Sequence, residues 1–227
     1  MQKQTFAVFD TETVGLSPKL VYDVALVICD RSGKILARKN WLVRDVLHDG
    51  KAMLQAFYAR KIFSDYLPAI ESGAMRSYSF ADIRGEFNAM LAEHNAQTVT
   101  AYNIGFDRAA MRETAKHCKL GGTFLSRPIR FADLWLATCE QLLARKPFIR
   151  FALSHGLTTE KGNIKTSAEA AYRYITNNPT FIESHTAMHD AEIESEILAA
   201  IFKRKQKFPF NRIHGSPWQI VKNARGA

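Results

Sequence analysis

Three strand-like runs in the first 43 residues set the sheet that the rest of the chain must join. Residues 5–10 read as a buried strand, 22–30 as a second strand and 35–43 as a third. Arg31-Ser32-Gly33-Lys34 is turn chemistry, so the last two runs form a hairpin. Together they predict an antiparallel meander with the first strand central. Two later runs, 97–101 and 129–133, read as a fourth strand and a fifth, short one, with helices over 106–117 and 134–145.

The remaining segments supply layers. Ile83, Phe87, Met90 and Leu91 make one face of a helix crossing the sheet. Residues 148–155 and 190–203 are helical, and 167–177 is a helix capped by Ser167 with Glu169 in its first turn. Residues 158–165 read as a loop or small hairpin. Residues 51–66 have helical spacing and carry Phe57, Tyr58, Phe63 and Tyr66 beside Arg60 and Lys61, with most of the rings expected in the core. The expectation is an α/β chain: a five-stranded mixed sheet, three antiparallel strands then two parallel, with helices on both faces. One domain over 1–203, including a variable helical segment over 45–80, precedes a basic tail over 204–227.

Charge narrows the partner. The chain has 227 residues and a formal net charge of +9. Lys203, Arg204, Lys205, Lys207, Arg212, Lys222 and Arg225 carry seven of those charges, with no acid after position 202. The body is therefore nearly neutral, and its acids are free for chemistry. The tail suits a polyanion, while Phe208, Phe210 and Trp218 among its charges imply packing, the chain's own domain included. Cys29, Cys118 and Cys139 are scattered without zinc spacing, which fits a reducing cytoplasm. No signal peptide or membrane-length apolar run is visible.

The acids stand where elements end. Asp10 and Glu12, two apart on a strand, point to the same side. Asp107 falls in the first turn of a helix, where the dipole alone would favour it. Asp190 opens the last long helix and shares its buried stripe with Ile193, Ile197, Leu198 and Ile201. A carboxylate there needs a partner, and a divalent ion is a natural one. Glu192, Glu194 and Glu196 are expected in solvent. A histidine near such a cluster can take a proton from a water, and His185 and His189 are the candidates. His117, His155 and His214 are assigned no chemistry.

Asp10-Thr11-Glu12, then Asn103 through Asp107, then His185 five residues before Asp190, resemble the motifs of the DEDD superfamily of 3′–5′ exonucleases. These proteins share a ribonuclease-H-like fold; replicase proofreading subunits, ribonuclease T and oligoribonuclease belong among them. With histidine at 185 and threonine at 186 the match is to the histidine branch, and its spacing selects His185 over His189. The resemblance covers roughly residues 5–44, 97–145 and 180–203.

The resemblance implies that Asp10, Glu12, Asp107 and Asp190 hold two divalent ions, Mg²⁺ or Mn²⁺, with His185 as general base. It implies Thr13, Leu16, Asn103 and Phe106 as substrate contacts, single-stranded DNA or RNA 3′ ends as partners, and nucleoside 5′-monophosphates as products. Ribonuclease T and oligoribonuclease are dimers, so a homodimer is compatible with it. Val14 replaces a common second threonine, and Tyr102 stands where many relatives carry histidine. The competing readings are a non-catalytic nucleic-acid-binding or replication-partner module on the same fold, and a ribonuclease-H-like endonuclease.

Overall fold

The structure is a computed structural model describing residues 4–54, 56, 62–126, 128–204 and 208–225. Phe57, Tyr58, Arg60 and Lys61 of the aromatic and basic segment, and Lys205 and Lys207 of the tail, lie outside the described residues.

A six-stranded mixed sheet forms the middle layer, in the order β4-β3-β2-β1-β5-β6. The strands β1 (Thr5–Thr13), β2 (Val21–Asp30) and β3 (Ile35–Val43) form the expected meander, pairing antiparallel from Thr5↔Asp30 and Cys29↔Ile35. Gly33 turns the hairpin at φ 84°, and a Cβ there would meet the Ala199 Cβ at 2.8 Å. Glycine is required both by that conformation and by the close approach of a helix. The strands β5 (Thr98–Ala101) and β6 (Arg130–Asp133) add in parallel on the other side of β1. The sixth strand, β4 (Ser77–Tyr78), pairs parallel with β3 at the edge. The sequence reading has five strands because two residues show no period.

Every residue of β2 is buried, since helices cover both faces. Ala7, Phe9, Val24, Leu26 and Ile28 pack beneath the helices Phe80–Glu93 and Ile104–His117. Phe6, Val8, Ala25 and Val27 pack beneath Ala187–Lys203 and the helices around it. Each fully buried Phe, Leu or Ile contributes about 1.5–3 kcal/mol relative to exposure.

Local chemistry starts these helices. Ser79 Oγ accepts the Asp82 amide at 3.1 Å, and Ser167 Oγ accepts the Ala170 amide at 3.2 Å. Asp133 caps Leu134–Thr138, which continues as a π-helical turn over Cys139–Leu143. The last helix begins at Ala187, three residues before the expected start. Thr158 and Ile164 bridge, making the expected small hairpin.

Past Lys203 the chain returns to the sheet. Phe208 packs on Phe6 and Phe202, Phe210 bridges Ala132, and the helix Trp218–Arg225 follows. Among the described residues no helix is long and apolar enough to cross a membrane.

Candidate active site

The acids meet at the C-terminal end of β1, between the helix layers. Asp10 and Glu12 lean to one face of the sheet and Thr11 to the other. From that other face Thr11 Oγ1 donates to Asp107 Oδ1 at 2.8 Å. Asp107 is placed by the turn that joins β5 to its helix. Asn103 there has φ 68°, a left-handed conformation that asparagine tolerates better than most residues. Its carbonyl accepts the Phe106 amide at 2.8 Å, which sets the first turn and leaves Asp107 3% exposed.

Asp190 arrives from the opposite layer, 6% exposed in the first turn of Ala187–Lys203. The start of that helix is tied to β2, because the Ala187 amide donates to Asp23 Oδ2 at 3.3 Å. Asp23, across the sheet from Glu12, also accepts the Tyr66 hydroxyl at 2.7 Å. His185 lies in the preceding loop, exposed, at φ 53°. Glu12, His185 and Asp190 each offer a ligand atom within 4.8 Å of one another. The His189 Nδ1 is 2.7 Å from Ser184 Oγ and 4.0 Å from Asp190 Oδ1, and its ring packs against Phe181.

The electrostatics of this cluster are those of crowded, dehydrated carboxyls. Burial, and then the charges of Glu194, Asp107, Glu12 and Asp190, hold Asp10 well above the ordinary carboxylate range. Burial pushes Asp107 up to about 7, against hydrogen bonds from the Thr11 hydroxyl and the Asp107 and Thr11 amides. Among the described residues, no Lys or Arg forms an ion pair with Asp10 or Asp107. An oxygen-rich, negatively charged donor set of this kind fits hard divalent cations.

The remaining sequence candidates surround the cluster. Thr13 is buried and its hydroxyl donates to the Gly15 carbonyl at 3.0 Å. Leu16 is 64% exposed. Phe106 is half-buried, with the Lys19 ammonium 5.4 Å from its ring centre. Of the two departures from the family pattern, Val14 packs in the core, and the Tyr102 hydroxyl donates to the Thr166 carbonyl at 2.7 Å.

Glu194 corrects the sequence reading. Expected in solvent, it is 2% exposed and accepts the Tyr102 amide at 3.0 Å. Burial, and then the charge of Asp107, hold its carboxyl well above the usual range. The missed signal is its spacing: four residues after Asp190, one turn along the same face. The reading assumed a helix with a broad solvent side. In fact Ala191, Ser195, Ala199 and Phe202 are buried as well, because the helix is enclosed by the sheet and neighbouring helices. Of the other two, Glu192 is half-buried against Arg38, and Glu196 is exposed. Asp133 was also missed; it is fully buried as a cap, accepting the Trp135 amide at 3.0 Å.

No protein-family model matches the chain, and no curated protein sequence matches it. Solved structures do. A crystal structure of a full-length 3′-exonuclease superposes with a TM-score of 0.64 at 7% identity, over 96% of this chain and 90% of that one. The zinc-bound E. coli exonuclease I complex with single-stranded DNA gives a TM-score of 0.53 at 13% identity, over 90% and 41%. E. coli exonuclease I with a dA16 oligonucleotide gives 0.52 at 15%, over 89% and 43%. The chain thus spans less than half the length of those exonuclease I chains, and what it shares with all three is the fold.

Proposed function

We propose that this chain is a metal-dependent 3′–5′ exonuclease of the histidine-bearing DEDD type, removing nucleoside 5′-monophosphates from the 3′ ends of single strands. One observation carries the reading. Asp10, Glu12, Asp107 and Asp190 converge from three elements at one strand end, beside an exposed histidine, on the fold of 3′-exonucleases. Mutual repulsion makes such a cluster costly unless divalent cations relieve it. The single-stranded DNA bound in the exonuclease I structures supports the choice of substrate.

Asp10, Glu12, Asp107 and Asp190 would hold two divalent ions, which would supply the charge to activate the attacking water and stabilise the leaving oxygen. The chain's own groups do the rest. Thr11 fixes the Asp107 carboxyl, and the Asp23 link to the Ala187 amide fixes the helix that presents Asp190. His185, on its exposed loop, takes the proton of the attacking water. Leu16 and Phe106 offer apolar surface to the terminal nucleotide, with Asn103 near its sugar-phosphate.

The test uses a 5′-labelled single strand with Mg²⁺. The expected result is a ladder of shortened products, abolished by chelation and by Asp10→Ala. His185→Ala lowers kcat by about 10²–10⁴-fold, the usual worth of a general base, whereas His189→Ala does not. A wild-type protein that yields no ladder with any divalent ion overturns the reading. Cutting of a closed circle would assign the endonuclease alternative instead, and parallel DNA and RNA oligomers decide the sugar.

A further inference from the structure

Alongside the helix Ile104–His117 runs a groove of about 990 Å³ that the catalytic cluster does not use. Its floor is apolar, with Phe9, Phe87 and Val99 beneath and Phe124 at one side. Its rim is cationic. Arg108, Arg112 and Lys116 are all exposed, and no Asp or Glu stands among the described lining residues. Among the described residues none of the three cations forms an ion pair. The Arg108 guanidinium carbon lies over the Phe131 ring, 3.9 Å from its centre.

The three cations recur every fourth residue, so they share one helix face at steps of about 6 Å. That step resembles the separation of successive phosphates along an extended strand. The row also begins beside the catalytic cluster: Arg108 follows Asp107, and Gly105 of the same turn lines the groove. A cationic rail over apolar and aromatic surface is the combination that binds single strands without reading sequence.

We infer that this groove is the track for the substrate strand upstream of its 3′ end. Arg108, Arg112 and Lys116 meet consecutive phosphates, and the bases lie over Phe124 and the apolar floor. The inference rests on the exonuclease reading and deepens it, since it makes strand length, and not the terminal nucleotide alone, a determinant of affinity. An acidic, apolar peptide would meet the same rim, but the rail's start at Asp107 favours the strand.

The experiment measures binding of fluorescein-labelled strands of twelve and of three nucleotides in EDTA, where nothing is cut, and initial cleavage rates in Mg²⁺. For Arg112→Glu/Lys116→Glu, the dissociation constant for the twelve-mer rises tenfold or more. Arg112→Gln/Lys116→Gln lowers the salt slope by about 1.4, at roughly 0.7 per lost phosphate contact. The preference for the twelve-mer over the trimer in kcat/KM falls in parallel. Lys161→Glu, on the distant hairpin, serves as the charge control, and thermal melting confirms that the variants fold.

The inference is overturned if the variants bind the twelve-mer as wild type does, if both lengths weaken equally, or if an acidic peptide occupies the groove while strands do not. A wild type that binds strands through the groove yet cuts nothing refutes the exonuclease reading alone. A wild type that cuts, with binding indifferent to the rail, refutes this inference alone.

Discussion

At the scale of single residues, the least expected feature is a carboxyl that no motif marks. Glu194 accepts the Tyr102 amide, and Tyr102 directly precedes the left-handed Asn103 that launches the Asp107 helix. Glu194 thereby ties the turn carrying one site acid to the helix carrying another. Glutamine retains an acceptor of the same shape; alanine leaves a buried amide unpaired, at about 1–3 kcal/mol. Glu194→Gln is therefore expected to melt close to wild type at pH 7, and Glu194→Ala clearly lower, with a larger loss in kcat than in KM. Calorimetry and steady-state kinetics on the pair check this; equal behaviour of the two variants would remove the positioning role. Such a residue was legible in principle, because 190 and 194 share a face. It was misread because the sequence alone does not show how much of this helix its neighbours cover.

At the scale of elements, the site depends on a segment that sequence motifs leave unassigned. Tyr66 ends a π-helical turn over Ile62–Tyr66, and its hydroxyl reaches Asp23 on β2, whose carboxylate also holds the Ala187 amide. Burial, and then the Asp23 charge, push the Tyr66 hydroxyl far above its usual range, so it remains a donor at every working pH. Tyr66→Phe withdraws that donor from a buried carboxylate and is expected to cost about 1–3 kcal/mol of stability. The start of the Ala187–Lys203 helix and the His185 loop before it loosen together. Hydrogen exchange at residues 184–190 should rise in Tyr66→Phe and stay unchanged in a control such as Lys34→Ala. Strand and helix identities here were legible from periodicity and caps, as with Ser167 and the hairpin at Gly33. The Tyr66 contact was not, since it joins residues 43 apart in sequence.

For the whole molecule, the crowded carboxyls make stability depend on pH and on metal together. Asp107 titrates near 3.8 when ordinary and at about 7 in the fold. Between those values the folded protein binds the extra proton, so its stability falls as pH rises, and the loss is complete above about pH 7. Asp10, shifted in the same direction, adds to the trend. On the proposed function, divalent ions would bind the ionised acids of the folded state and offset the repulsion. The metal-free protein should thus melt at lower temperature at pH 8 than at pH 5, and Mg²⁺ or Mn²⁺ should raise the melting temperature more at pH 8. Scanning calorimetry at both values, with and without metal, checks this; a metal-free melting point that rises across that interval contradicts it.

The sequence by itself determined the meander, the two added parallel strands and the chain positions of Asp10, Glu12, Asp107, His185 and Asp190. Local period, turn chemistry and spacing are written in consecutive residues, and they act within a few positions of one another. Tertiary structure alone decided which groups lose their water. It enclosed Glu194, joined Tyr66 to the last helix through Asp23, added a two-residue edge strand, and opened a groove beneath Arg108, Arg112 and Lys116. Burial is a property of what packs from elsewhere in the chain, and dehydration by distant neighbours lifts Asp10, Asp107 and Glu194 out of the ordinary carboxylate range.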